Sequence, residues 1–134
     1  ARVNGAQTNK DIAVSTAGWT VLSSTSFNPS PDPQTCIASG SADVKNPGVN
    51  TKNQYLFTLA IDNANPAADG ACERLLEFGA NNDSSKQLNS TCTFKNVSPS
   101  SHTVRLLIKK AKPTAPKVTV TDNSMTISCT DKAL

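Results

Sequence analysis

The chain has 134 residues, of which 37% are hydrophobic, 17% charged and only 4% aromatic. Serine (15), threonine (15) and asparagine (13) together make up close to a third of it, and the net charge is a mild +3. So little charge argues against a charge-expanded disordered chain, and no apolar run approaches the roughly 20 residues that a membrane-crossing helix needs. A coiled coil and a long helical bundle are excluded as well, and one domain over 1–134 is the economical reading.

In chain order the dominant signal is a hydrophobic period of two, the signature of half-buried strands. Ile12 and Val14 open an alternation that leads to Trp19, after which Val21, Ser23, Thr25 and Phe27 are expected to share a face. The stretch Asn28-Pro29-Ser30-Pro31-Asp32-Pro33 stops that strand, because proline removes a ladder donor and fixes φ. Next, Cys36, Ala38, Gly40, Ala42 and Val44 fall on one face and Ile37, Ser39, Ser41 and Asp43 on the other, ending at the turn signal Asn46-Pro47-Gly48. From Gln54 to Asp62 both faces are apolar, Tyr55, Phe57, Leu59 and Ile61 against Leu56, Thr58 and Ala60, as in a central strand.

Cys72 to Phe78 fits either a strand or a short helix between Asp69 and Gly79, and its neighbours' period favours the strand. Leu88, Ser90, Cys92 and Phe94 alternate again. After the corner 96–101, His102, Val104, Leu106 and Ile108 oppose Thr103, Arg105, Leu107 and Lys109, until Pro113 and Pro116 break the run. Val118 with Val120, and Met125, Ile127 with Cys129, read as two closing strands joined by a turn at Asp122-Asn123-Ser124. The pattern predicts an all-β protein: an antiparallel β-sandwich or jelly roll of eight to nine short strands.

Four cysteines, Cys36, Cys72, Cys92 and Cys129, stand 36, 20 and 37 residues apart with no CxxC pair and a single histidine in the chain. Zinc-site and thiol-redox spacings are therefore missing, and two disulfides are expected, which implies an oxidising compartment: secreted, extracellular or periplasmic. Three connectivities are open; if the strands holding Cys72 and Cys92 are neighbours, Cys72–Cys92 and Cys36–Cys129 are the preferred bridges. The start at Ala1 rather than Met suits a mature secreted product, and Asn82, Asn89 and Asn96 head sequons that a eukaryotic secretory pathway would read.

The segment from Cys92 to Leu106, Cys-Thr-Phe-Lys-Asn-Val-Ser-Pro-Ser-Ser-His-Thr-Val-Arg-Leu, resembles the strand, corner and His-Thr-Val strand of secreted β-sandwich modules. It is similar to bacterial members of the TNF/C1q-like jelly-roll group and to the corner of fibronectin type III domains, with Ser100 or Ser101 where those corners often carry glycine. Over these fifteen residues the resemblance implies a binding or structural module and carries no catalytic set.

The residues themselves point the same way. His102 leads an apolar strand face, no G-x-S-x-G elbow exists, and a structural histidine is expected rather than a Ser-His-Asp centre. The only two glutamates, Glu73 and Glu77, would lie about 13 Å apart on a strand, too far for a glycosidase pair. Asp62, Asn63, Asn65 and Asp69 form an oxygen-rich loop and a calcium candidate, although without the EF-hand register. Arg105, Lys109, Lys110, Lys112 and Lys117 lie in a stretch with no acid, an anion-binding candidate. No aromatic follows Val97, which argues against stacking on nucleic acid. The chain is thus expected to be a non-enzymatic binding or structural module for a protein or polysaccharide, without cofactor; a homo-oligomer is compatible with this. The alternatives are a carbohydrate-binding module and, behind it, a small secreted hydrolase.

Overall fold

The structure, a computed structural model, describes residues 2–8, 11–15, 18–29, 31–45, 53–66, 72–79 and 85–130. Nine strands occur in chain order among them: β1 (Arg2–Thr8), β2 (Ile12–Val14), β3 (Thr20–Phe27), β4 (Gln34–Lys45), β5 (Asn53–Ile61), β6 (Arg74–Phe78), β7 (Lys86–Val97), β8 (His102–Lys110) and β9 (Val118–Thr130). They form two antiparallel sheets: a five-stranded one ordered β1-β9-β4-β7, with β2 also on β9, and a four-stranded one ordered β3-β8-β5-β6. The expected turn at Asn46-Pro47-Gly48 lies outside the described residues.

The inner faces meet in one apolar core. Cys36, Ala38, Ala42 and Val44 of β4 are buried as the alternation predicts, against Tyr55, Phe57 and Leu59 of β5 and Val104, Leu106 and Ile108 of β8. Gly40 belongs to that face because a Cβ there would come within 2.6 Å of the Leu106 Cδ1 atom. Tyr55 is fully buried yet its hydroxyl donates to the Pro116 carbonyl at 2.7 Å, and burial pushes its pKa up to about 12.

Two expectations are corrected and one strand is added. The closing segment is a single 13-residue strand rather than two, so Asp122-Asn123-Ser124 is no turn, and Asn123 is 4% exposed. The buried positions change parity from Val118 and Val120 to Asn123, Met125, Ile127 and Cys129; the register slip between Asp43 and Val44 on the partner strand absorbs the extra residue as a bulge. A second bulge, between Val21 and Ser23 of β3, turns Leu22 inward and Val21 outward, so Val21 does not share the Ser23 and Phe27 face. Finally, Arg2–Thr8 is an edge strand that the period did not reveal.

Both bridges form as expected, Cys36–Cys129 and Cys72–Cys92, but by a different route for the second. Cys36 and Cys129 are direct cross-strand partners on β4 and β9. Arg74–Phe78 is the favoured strand, yet β6 belongs to the four-stranded sheet and β7 to the other. Cys72–Cys92 therefore ties the lead-in to β6 to the opposite sheet, and the Ser90 hydroxyl donates to the Cys72 carbonyl at 3.0 Å beside it.

Leu106 is fully buried, so a methyl at position 40 has to displace a packed side chain, and Gly40→Ala is expected to destabilise the fold by about 1–3 kcal/mol. Urea titration checks this: the midpoint should fall with little change in slope.

Candidate functional site

The alternation that buries one face of the five-stranded sheet sends the other to solvent, and pairing aligns its residues in rows across four strands. One row runs Val3, Ser128, Ile37, Thr93; the next Gly5, Thr126, Ser39, Thr91; the third Gln7, Ser124, Ser41, Asn89. None of these twelve positions is charged. Neighbouring hydroxyls meet across strands, Ser39 with Thr91 at 3.3 Å and Ser41 with Ser124 at 3.2 Å. Each hydroxyl has one donor and two acceptor sites, so such a pair keeps capacity for a ligand. Because the side chains are small, the middle of the face is hollow: a shallow groove lies over Ser39, Gly40, Ser41, Asn89, Thr91 and Thr126. It runs on toward Gly5 and Gln7 on one side and toward Gln87, Asp43 and Asp122 on the other. The sequence shows each strand's outward residues, but only the register makes them one face.

A second constellation joins two corners. Asp62, held in the left-handed region at φ 57°, closes β5 onto β8: its N–H donates to the Thr103 carbonyl and its Oδ1 accepts from the Thr103 N–H, both at 2.8 Å. Its Oδ2 lies 2.5 Å from His102 Nδ1, while His102 Nε2 lies 2.8 Å from the Ser98 carbonyl and 3.1 and 3.2 Å from the Ser98 and Ser100 hydroxyls. Phe27 stacks on the ring with centroids 5.5 Å apart. The connectivity is that of a Ser-His-Asp set, but the nearest partner of Nε2 is a carbonyl oxygen, which can only accept. Both ring nitrogens are then donors, so the imidazolium form is the one that fits, and it clamps two corners rather than serving as a base. The Asp62 hydrogen bond raises the His102 pKa above its ordinary 6.5, and the His102 hydrogen bond lowers the Asp62 pKa below 3.8.

The other predicted residues are dispersed. Of the calcium candidates, Asp62 is engaged with His102 and Thr103, Asn63 Oδ1 accepts from the Asn65 N–H at 2.9 Å in an Asx turn, and Asp69 lies outside the described residues. The basic stretch is divided by the pleat: Arg105 and Lys109 share one face of β8, Lys110 stands opposite Tyr55, and Lys112 and Lys117 are exposed in the loop before β9. Lys109 Nζ sits 4.7 Å from the centre of the Trp19 ring, whose indole N–H donates to the Pro66 carbonyl at 2.9 Å. The only tryptophan thus works as a brace between the start of β3 and the loop after β5. Asn89 and Asn96 are exposed, and Asn82 lies outside the described residues.

No protein-family model and no curated protein sequence matches the chain. Solved structures do match in fold. The VP2 subviral particle of infectious bursal disease virus is similar over 94% of this chain and 32% of that chain, at 9% identity and a TM-score of 0.55. The Gx strain of the same virus gives 94%, 31%, 11% and 0.54 respectively. The CBM36-1 domain of a multidomain xylanase from the hindgut metagenome of Trinervitermes trinervoides is matched over 95% of this chain and 97% of that chain, at 10% identity and a TM-score of 0.41. The chain spans about a third of the length of the two viral chains, and at such identities the likeness is one of fold: a β-sandwich of the jelly-roll kind.

The clamp gives a signed pH dependence. The His102 contribution is complete below pH 6.5 and is lost as pH rises through its raised pKa; the Asp62 contribution is complete above pH 3.8 and is lost as pH falls through its lowered pKa. Thermal melts of wild type and Asp62→Asn should therefore differ most between pH 3.8 and 6.5 and converge beyond the two displaced pKa values. Parallel curves would contradict the clamp.

Proposed function

We propose that the chain is a non-enzymatic binding module whose ligand is a neutral, hydroxyl-rich polymer, a polysaccharide, held on the outer face of the five-stranded sheet. The observation that supports this reading is the three uncharged rows, with their hydroxyl-lined groove, at the centre of that face. A typical hydrogen bond contributes only about 0.5–1.5 kcal/mol net of the water it displaces, so a useful affinity needs many of them at once. A monosaccharide covers too few hydroxyls; an extended chain lying across several strands covers enough. The aromatic platform common to sugar-binding sites is not what this reading uses, since Trp19 already carries Lys109 on its ring and belongs to the other sheet. The methyl-bearing end of the face, Val3 and Ile37, adds apolar contact for the ring faces of a sugar, at 66% and 41% exposure. Two disulfides support an extracellular or periplasmic setting, where such polymers are found.

Pull-down on insoluble neutral polysaccharides and affinity electrophoresis in soluble ones test the proposal. Wild type should be retained, and Ser39→Arg with Thr126→Arg, both exposed, should weaken retention about tenfold or more by overfilling the groove. Trp19→Phe should bind as wild type. Retention lost with Trp19→Phe but kept with the arginine variants would move the site to the other sheet, and no retention of wild type on any neutral polymer would end the reading.

A further inference from the structure

The two sheets do not protect their edges equally. On the five-stranded sheet, one edge is β1, whose Asn4 amide and Thr8 hydroxyl donate across to the Ser26 and Leu22 carbonyls of β3, and the other is the 12-residue β7, whose pairing among the described residues is with β4 alone. Every second residue of β7 therefore presents its N–H and C=O outward from the sheet, a template for another strand. Edge strands are usually blunted by brevity, proline, bulges or charge. The edge strand β6 is five residues long, but β7 has neither charge nor proline from Gln87 to Phe94, and its bulge comes only beyond Phe94.

We propose that β7 pairs with β7 of a second copy of this chain, antiparallel about a two-fold axis at Thr91. The occupant follows from the strand's own complementarity. In that register Thr91 faces Thr91, Asn89 faces Thr93 and Gln87 faces Lys95 on the outer side, and on the inner side Leu88 faces Phe94 and Ser90 faces Cys92. Phe94, only half-buried within one copy, gains an aliphatic partner, the threonines form a hydroxyl pair, and no like charges meet. A slip by one residue would oppose outward with inward side chains. A slip by two would set Lys86 against Phe94 or Phe94 against Ser90. The resulting interface is isologous and closes on itself, so it stops at a dimer. Pairing in this way makes the hydroxyl rows of the two copies continuous, but it does not depend on what those rows bind.

Sedimentation of the full chain without any polysaccharide tests the proposal. Wild type should reach twice its 14.0 kDa mass with rising concentration. Thr91→Lys, which sets two ammonium groups against each other at the axis, should weaken the dimer about tenfold or more while circular dichroism and melting show the fold intact. Leu75→Lys, on the exposed surface of the other sheet, should dimerise as wild type. Wild type that stays monomeric up to about millimolar concentration, where a dissociation constant corresponds to only about 4 kcal/mol, would overturn the proposal. So would a dimer that Thr91→Lys leaves unchanged or that Leu75→Lys breaks.

Discussion

The rest of the molecule depends on the long antiparallel pairing of β4 with β9. Their partnership runs from Thr35 opposite Thr130 to Lys45 opposite Thr119, and both strands lie inside the five-stranded sheet, so their two faces are set together. A side-chain period of two means that a slip of one residue would exchange core and solvent along the full length. What pins the register is the inner face: the Cys36–Cys129 bridge at one end, Val44 opposite Val120 at the other, and Gly40 between them, where the close approach of Leu106 leaves no room for a side chain. The outer hydroxyl rows are the other side of the same constraint. Serine and threonine can pave that face because the core residues behind it, and not the outward ones, decide the pairing.

Much of this could be read in advance where one residue type speaks for one position. The inner face of β4, the two-sided apolar β5 and the bridge pairing were legible because alternation and cysteine position are local signals. Three features were not. The parity change in β9 looks identical in sequence whether a turn or a bulge produces it, and Asp122-Asn123-Ser124 has turn chemistry; the long uninterrupted partner strand decides for the bulge. The edge strand β1 is hidden because Asn4, Gly5 and Gln7 carry no apolar period, and it is held by its ladder to β9 instead. The contact of Asp62 with His102 joins residues 40 apart, so the sequence offered His102 as a structural residue and Asp62 as a calcium ligand without linking them.

The same positions explain why so polar a chain holds a core. Nearly all of its serine and threonine can be spent on outward faces, corners and strand ends, where water or a neighbouring hydroxyl satisfies them. Thr35, Thr58 and Ser90 are buried as well, but the buried polar side chains left without a partner among the described residues stand at or near the bulges of β3 and β9. Ser23 follows the inward-turned Leu22, and Asn123 follows the slip in β9; the Ser23 hydroxyl and both polar atoms of the Asn123 side chain are buried without a hydrogen-bond partner among the described residues. They lie in one neighbourhood, since Asn123 pairs with Thr8 and the Thr8 hydroxyl donates to the Leu22 carbonyl at 3.3 Å.

A buried polar group left unpaired costs about 1–3 kcal/mol, a large share of the stability of a small domain. That cost is tied to the bulges, and the bulges have a function in the fold. Without the extra residue in β9, either Val118 and Val120 or Met125 and Ile127 would face solvent. Without the one in β3, Leu22 would leave the core on the side where β1 and β3 close the sandwich. The two bulges keep apolar residues inward at both ends of strands whose sequence changes phase. With the phase kept, the outward residues of β9 and β4 from Ser124 to Ser128 and from Ile37 to Ser41 remain in step, and the flat uncharged face exists because the interior accepts these polar atoms.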